Sequence, residues 1–362
     1  MSGFRILTWH VHGSYLDSLA RTGHRFYIPV KPDPAGGYAG RWPEWDQDVV
    51  VEVPVTEVRD LEVDAVLFQH RQHWEVDQYE LLSPEQRRLP RLYVEHDPPR
   101  EHPTDTRHPV EDPDVLLVHV TAFNALMWDS GPTPTRVIDH GIAIPEGVNY
   151  SGESQRGIVV VNDLATRGRR LGADLYLHAA ERVPLDLVGI GAQRLGGIGE
   201  IPRLRLPAFE ARYRFFFNPI RYTSLGLAMI EAMHVGLPIV AFATTEIPTV
   251  IEDGVSGITS TDPAWLLAGM EVLLADHGLA REMGRHARII AQERFSIERF
   301  ARDWTIAFEE AIGRPAATVR RHPRAGSRST TTAIAATASR GTHAEAASTA
   351  PTKPAALVRG AR

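Results

Sequence analysis

The chain has 362 residues, of which 43% are hydrophobic and 23% charged, and its net charge at pH 7 is −6. This composition is typical of a soluble protein with a buried core, and the length predicts two domains with an appendage. The absence of cysteine excludes disulfides, zinc–thiolate sites, iron–sulfur clusters and a thiol nucleophile.

No basic segment followed by a long apolar run opens the sequence, so we expect no secretory signal and a cytoplasmic location. The stretch closest to a membrane span, Leu225–Ala243, contains Glu231, His234 and Pro238. These residues favour a buried helix, a turn and a strand over a lipid-facing helix.

Short apolar runs in the first half of the chain predict β-strands. Runs that are apolar on both faces are typical of parallel strands covered by helices on both sides. The predicted strands are Phe4–Val11, Asp64–Gln69, Arg91–His96, Val115–Val120 and Thr135–Gly141, with a helix at Tyr15–Arg21 after the first. A polar, glycine-containing stretch, Pro145–Gly157, predicts a linker.

A second strand–helix series follows the linker. Its predicted strands are Gly157–Asn162, Pro184–Gly191, Arg214–Pro219, Pro238–Ala243 and Gly254–Thr259. Its predicted helices are Gly172–Arg182, Thr223–Gly236, Pro263–Asp276, Leu279–Glu293 and Ile297–Ile312. Two such series predict an α/β protein whose two doubly wound, Rossmann-like domains face each other across a cleft. We expect domains at 1–150 and 151–296 and a C-terminal helix, 297–313, that packs back across the cleft.

Residues 314–362 form a tail with nine basic residues and one acidic residue, a net charge of +8, whereas residues 1–313 carry −14. The tail is rich in Ala, Ser, Thr and Pro and is predicted to be disordered. Because the body has no basic stripe, no nucleic-acid partner is predicted. The tail suits peripheral contact with anionic lipid at the inner membrane face, and a solvated extension is the simpler interpretation.

One predicted helix, Thr223–Gly236, is almost wholly apolar but carries a single carboxylate, Glu231. We expect Thr223 or Ser224 to cap its start, where free amides and the helix dipole form an anion site. Gly226 would let an anion approach the backbone closely. Ser224 and Glu231 would share one face about 10.5 Å apart, which suits a diphosphate at the helix start and a ribose at the carboxylate. Pairing of Glu231 with an arginine is the alternative.

The stretch NPIRYTSLGLAMIEAMHVGLPIVAFATTEIPTVIEDGVSG, residues 218–257, resembles the donor-binding segment of retaining GT-B glycosyltransferases. The family is glycosyltransferase family 4, or group 1, which includes sucrose synthases and bacterial mannosyltransferases. Further pieces occur in the family's order: IDHGIAIP (138–145), VVVNDLATRGRRLGADLYLHA (159–179) and DLVGIG (186–191). The resemblance implies the GT-B fold, with the acceptor on the first domain and a nucleotide sugar on the second.

The resemblance also implies roles in the donor-binding segment. The family's second glutamate, here Glu231, holds the donor ribose, while Ser224, Leu225 and Gly226 contact the diphosphate. Thr223 stands where the family has a first glutamate that contacts the sugar. A hydroxyl can still form a hydrogen bond there but brings no charge.

The phosphate clamp departs from the family's pattern. Asp163 occupies the usual arginine position and Arg167 the usual lysine position, with Arg169 and Arg170 beside it. Arginine binds phosphate well and the chain has only two lysines, so we expect Arg167 or Arg170 to contact the phosphates. Gly13 follows the first strand, where this fold brings backbone towards the donor phosphates.

The stretch Tyr93–Pro109 gathers three histidines and four carboxylates after a predicted strand. A metal site is one interpretation, but no pair has helical HExxH spacing and proline interrupts the run, so no metal is predicted. The resemblance implies instead that His96 lies near the transferred sugar and donates a hydrogen bond to it; a solvated loop is the alternative. We expect a turn at Asp112–Asp114 and no dinucleotide site at Gly189–Gly199.

These observations predict a retaining glycosyltransferase that moves a sugar from a nucleotide-diphosphate sugar, its co-substrate, to a hydroxyl of a glycan, glycolipid or small molecule. Helix amides and arginines would stabilise the leaving diphosphate, and the resemblance implies front-face attack by the acceptor. No cofactor is expected, and acceptor contacts are expected in Gln69–His73 and Lys31–Arg41. The alternatives are a glycosyltransferase-like protein that binds nucleotide sugar or glycan without turnover, and a GT-B sugar-nucleotide epimerase.

Overall fold

The computed structural model describes residues 3–313, which contain two parallel β-sheets. The strands of the first sheet are β1 Arg5–Leu7, β2 Arg25–Val30, β3 Val50–Pro54, β4 Ala65–Phe68, β5 Arg91–Glu95, β6 Val115–His119 and β7 Thr135–Val137. Their order in the sheet is β3-β2-β1-β4-β5-β6-β7, and the order reverses direction between β1 and β4. Such a reversal opens a crevice at the carboxyl ends of the strands, where ligands bind in doubly wound folds.

The second sheet has the same kind of topology with fewer strands. Its strands are β8 Ser154–Val160, β9 Leu185–Val188, β10 Tyr213–Asn218, β11 Ile239–Phe242 and β12 Gly257–Ser260. They run in the order β12-β11-β10-β8-β9, so the order reverses between β8 and β10. Their apolar residues are buried on both faces of the sheet, as expected for parallel strands covered by helices.

Helices connect the strands and cover the sheets. They are α1 Gly13–Ala20, α2 Gln78–Leu81, α3 Ala122–Met127, α4 Leu164–Leu171, α5 Ala173–Ala180, α6 Leu206–Glu210, α7 Leu227–Val235, α8 Ile247–Val250, α9 Pro263–Ala275, α10 His277–Arg294 and α11 Ile297–Gly313. Local sequence determines several ends. The carboxylates of Asp262 and Asp276 accept hydrogen bonds from the first-turn amides of α9 and α10, and Gly236 ends α7 at φ 99°.

The last helix, α11, packs on the core of the first sheet although it follows the second in sequence. Phe300, Trp304 and Phe308 are fully buried there. The Trp304 indole donates a hydrogen bond of 3.1 Å to the hydroxyl of Tyr15 on α1. This helix therefore ties the two halves of the chain together, and the described residues pack as one compact unit.

The predicted class, two parallel-sheet α/β domains, is confirmed. The prediction missed β2 and β3, which contain Pro29 and Pro54, because proline weakens the sequence pattern of a strand. It also missed α4, and the predicted linker gives way to β8 at Ser154. The domain boundary at residue 150 stays a prediction.

Among the described residues, no helix combines the length and the hydropathy that crossing a bilayer requires. The tail, residues 314–362, lies outside the described residues. Its predicted disorder and lipid contact therefore stay predictions.

Candidate active site

A cavity of about 550 Å³ lies between the two sheets, at the carboxyl ends of their strands. Its wall is built from residues that follow β1 and β5 on one side and β8, β9 and β10 on the other. The first side contributes His12, Tyr15, Trp42, His96, Asp97, Arg100 and His140; the second contributes Asn162, Arg167, Gly189, Glu200, Arg203, Ser224, Leu225, Gly226, Leu227, Ala228 and Glu231, among others. The cavity occupies the place where doubly wound sheets bind ligands.

Six of the nine predicted site residues line this cavity. They are His96, Arg167, Ser224, Leu225, Gly226 and Glu231. Gly13, Arg170 and Thr223 do not form part of the wall. The structure thus brings most of the predicted donor site together, while the roles of these residues stay predictions.

The helix with the single acid begins later than predicted. Gly226, not Thr223 or Ser224, is its N-cap residue, and no side chain caps it. The amides of Arg221 and Tyr222 both donate to the Arg170 carbonyl, at 3.0 and 3.3 Å. These bonds tie the preceding segment to α4, so helical geometry starts only at residue 227.

The later start enlarges the anion site rather than removing it. Within the described residues, the backbone N–H groups from Thr223 to Ala228 donate to no protein acceptor. A row of unpaired donors beside the positive end of a helix dipole favours an anion such as a diphosphate. Since Ser224 lies outside the helix, the expected 10.5 Å helical spacing to Glu231 does not apply, although both residues line the cavity.

Glu231 lies in the first half of α7 with its side chain at the cavity wall. Burial raises the pKa of Glu231 to about 7; the charge of Arg203 lowers it and that of Asp17 raises it. The predicted alternative, a direct pairing of Glu231 with an arginine, is not observed in the described residues. The carboxylate is therefore available to accept hydrogen bonds from a ligand.

Three arginines lie close together around the cavity. Arg167 and Arg100 line it from opposite sides. Burial and the nearby charges of Arg100 and Arg167 lower the pKa of Arg170, whose guanidinium donates to the Tyr222 carbonyl at 3.3 Å. Arg169 points elsewhere and pairs with Asp174 at 2.6 Å. The sequence argument missed Arg100, which follows β5 and pairs with Asp97 at 2.5 Å.

Two other predicted positions differ from expectation. A Cβ built on Gly13 would lie 2.1 Å from Trp42 Cζ2, so the Trp42 indole covers this glycine where the resemblance places donor phosphates. Asp163 has left-handed backbone geometry, φ 52°, and its amide donates to the Ile190 carbonyl at 2.7 Å. Neither Asp163 nor the half-buried Thr223 lines the cavity.

Histidines occupy the first domain's side of the cavity. His96 approaches His12 at 4.3 Å and Tyr15 at 4.7 Å between ring centroids, in edge-to-face geometry. Burial and the neighbouring His12 and His140 hold the pKa of His96 well below its usual range, so the imidazole is neutral. Burial and the charge of Arg299 lower the pKa of His140 to about 3. This side of the site therefore presents uncharged ring nitrogens.

Polar contacts cross the cleft between the domains. The Tyr222 hydroxyl donates to the Pro99 carbonyl at 2.9 Å, and the Phe123 amide donates to Glu246 at 2.8 Å. Arg203 lies over the Trp42 ring at 4.8 Å. The two sides of the cavity are thus held together by specific pairs.

No group of three or more His, Asp or Glu side chains in the described residues is arranged to hold a metal ion. At Asp112–Asp114 a turn is found, in which the Asp114 amide donates to the Asp112 carboxylate at 2.9 Å. After Gly191 a short 3₁₀ turn, Ala192–Leu195, takes the place of the helix that a dinucleotide fingerprint requires.

Comparison with known proteins places this geometry in a class. Sucrose-phosphate synthase from Thermosynechococcus elongatus superposes with a TM-score of 0.65 at 15% identity, over 86% of this chain and 99% of that one. HepE of Anabaena, in complex with UDP-glucose, gives a TM-score of 0.62 at 15% identity, over 85% and 100%. S. aureus TarM, in complex with fondaparinux, alpha-GlcNAc-glycerol and UDP, gives 0.55 at 16% identity, over 70% and 58%. The fold is GT-B.

A family model described as "Glycosyl transferases group 1" matches residues 177–276. The chain therefore carries a group 1 glycosyltransferase domain, which includes α7, Glu231 and the anion site. A comparison with curated protein sequences gave no match.

Proposed function

We propose that the protein is a retaining glycosyltransferase of family 4 that uses a nucleotide-diphosphate sugar. The observation that carries this proposal is the composition of the cavity wall. Unpaired amides at the start of α7, the guanidinium groups of Arg167 and Arg100, and the Glu231 carboxylate surround one space. Amides and arginines suit a diphosphate, and a carboxylate suits the hydroxyls of a ribose.

In this proposal the glycosidic C–O bond to the diphosphate breaks as the acceptor oxygen bonds to the same face of the sugar carbon. The acceptor's proton passes to the departing phosphate oxygen, so no protein nucleophile takes part. The amides of Ser224 to Ala228 and the guanidinium of Arg167 stabilise the charge that develops on the diphosphate. Arg170 supports them from behind the wall.

The donor is the only co-substrate in this proposal, and it binds without a metal or other cofactor. The three arginines supply positive charge that a divalent cation supplies in other phosphate sites. Solved neighbours that contain UDP or UDP-glucose support a nucleoside diphosphate as the ligand class. A glycan or lipid-linked acceptor would approach from the first domain's side, near His12 and His96.

A thermal-shift screen with UDP-, GDP- and ADP-sugars, followed by calorimetry, tests this assignment. We expect one nucleotide series to raise the melting temperature in proportion to occupancy, and the ligand to bind equally well in EDTA. Binding that disappears in EDTA would remove the metal-free proposal. The absence of stabilisation by every nucleotide sugar would remove the donor site itself.

A further inference from the structure

Four polar groups form a hydrogen-bonded relay behind the cavity. The Thr8 hydroxyl donates to the Leu67 carbonyl at 2.8 Å. The side-chain amide of Gln69 donates to the Thr8 hydroxyl at 2.9 Å and to the Trp9 carbonyl at 3.1 Å. Nε2 of His96 lies 3.2 Å from Oε1 of Gln69. Thr8 and Gln69 are buried, so solvent does not compete for these bonds.

The chemistry of the relay permits only one orientation of the Gln69 amide. A backbone carbonyl can only accept, so the amide nitrogen of Gln69 must face the Trp9 carbonyl. Rotating the amide by half a turn would place its oxygen against that carbonyl and leave buried acceptors without donors. The cost of such unpaired groups excludes this orientation.

With Oε1 of Gln69 pointing at His96, the imidazole nitrogen Nε2 must carry the hydrogen. The ring is neutral, so its other nitrogen, Nδ1, has a lone pair and no hydrogen. Nδ1 makes no hydrogen bond within the described residues, and the ring forms part of the cavity wall. His96 therefore offers the cavity an acceptor, the opposite of the donor role expected from the sequence.

We propose that Thr8 and Gln69 are positioning residues that lock His96 as a hydrogen-bond acceptor for a hydroxyl of the transferred sugar. This inference rests on the proposed function and adds a specificity to it. The site selects donors with a neutral, hydroxyl-bearing sugar at this point. It discriminates against uronate donors, since two acceptors face each other when a carboxylate approaches the Nδ1 lone pair.

Proton–nitrogen NMR correlations of the full chain with isotope-labelled histidine read the tautomer directly. The His96→Gln variant identifies the resonance. We expect the Nε2–H form of His96 in the wild type and a mixture of tautomers in Gln69→Leu. An Nδ1–H form in the wild type would overturn the proposal. This arm needs no variant that folds beyond the assignment step and no knowledge of the donor.

Calorimetry supplies the second arm, with the neutral nucleotide sugar that binds best, its uronate counterpart and the free nucleoside diphosphate. In Gln69→Leu we expect the sugar nucleotide to bind about tenfold more weakly while the free diphosphate binds within about twofold of the wild type. Gln86→Leu, which removes a buried amide bonded to Val58 and Leu61 carbonyls elsewhere in the domain, controls for general destabilisation.

The outcomes separate this inference from the proposed function. Equal binding of the neutral sugar and its uronate by the wild type would overturn the specificity. If no nucleotide ligand binds while the NMR shows the Nε2–H form, the proposed function fails and the tautomer assignment stands. Loss of free-diphosphate binding in Gln69→Leu would show a structural role and contradict the positioning role.

Discussion

Arg203, on the loop before α6, lies 4.8 Å over the ring of Trp42 on the opposite side of the cleft. The same guanidinium pairs with Glu44 at 2.7 Å and with Asp17 at 3.6 Å, and it lowers the pKa of Glu231. One side chain thus holds the two domains together and favours the ionised form of the proposed ribose ligand.

The first prediction concerns Arg203→Met. Loss of the cross-cleft contacts should weaken donor binding at neutral pH about three- to tenfold, roughly 1 kcal/mol. Because the guanidinium charge lowers the pKa of Glu231, its removal should also move the pH midpoint of donor binding upward. Calorimetry across pH measures both effects. Arg156→Met, which breaks the Arg156–Asp186 pair on the second domain, is the control, and a midpoint that moves equally in both variants would contradict the link.

The second prediction concerns the ionisation of Glu231 itself, with a pKa of about 7. Only the carboxylate accepts two hydroxyl hydrogens, so the affinity for an intact nucleotide sugar should fall as pH falls through about 7. Glu231→Gln should bind about 10- to 100-fold more weakly above that pH and lose the pH dependence. A wild type with flat affinity between about pH 6 and about pH 8.5 would exclude Glu231 as the ribose ligand.

The same shift predicts an opposite effect on stability. A carboxyl whose pKa is higher in the folded state than in the unfolded state binds more protons when folded. The folded wild type therefore loses stability as pH rises from the unfolded value, 4.5, through about 7, by up to roughly 3 kcal/mol. Glu231→Gln removes this loss, so its melting temperature should exceed that of the wild type at about pH 8 and approach it near about pH 4.

Glu200→Gln, an exposed carboxyl on the same wall, serves as the control for both pH experiments. We expect it to change stability by no more than about 0.5 kcal/mol. A Glu231→Gln protein that is less stable than the wild type at every pH would mean that the carboxylate is held by a partner in the folded state.

The third prediction concerns Arg100, the cation that the sequence argument missed. Arg100→Met should lower kcat/KM about 10- to 100-fold, because a charge-assisted contact to the diphosphate is lost. Arg169→Met is the matched control, since Arg169 pairs with Asp174 away from the cavity. Equal effects of the two substitutions would assign the loss to general electrostatics rather than to a contact.

The fourth prediction compares neighbours in the loop before α7. Thr223 does not line the cavity, whereas Ser224 does. Thr223→Glu should therefore leave donor affinity and rate within about twofold, and Ser224→Val should reduce affinity severalfold. A gain in activity from Thr223→Glu, measured by steady-state kinetics, would mean that this position does reach the sugar.

The parts of this protein that the sequence predicted correctly depend on local patterns. Alternating strands and helices were sufficient for the class, and a lone acid in an apolar helix was sufficient to single out Glu231. The start of α7 was wrong because it depends on bonds from Arg221 and Tyr222 to the Arg170 carbonyl, far along the chain. Contacts such as Arg203 over Trp42, or Gln69 with His96, join residues whose proximity no local pattern encodes.

The most direct test of the central claim is turnover with the nucleotide sugar that binds best and a panel of glycan and small-molecule acceptors. The proposed function predicts release of the nucleoside diphosphate that accelerates with acceptor, and a product whose anomeric configuration, determined by NMR, matches that of the donor. Saturable binding from which the nucleotide sugar is recovered intact, or a product with inverted configuration, would contradict the account.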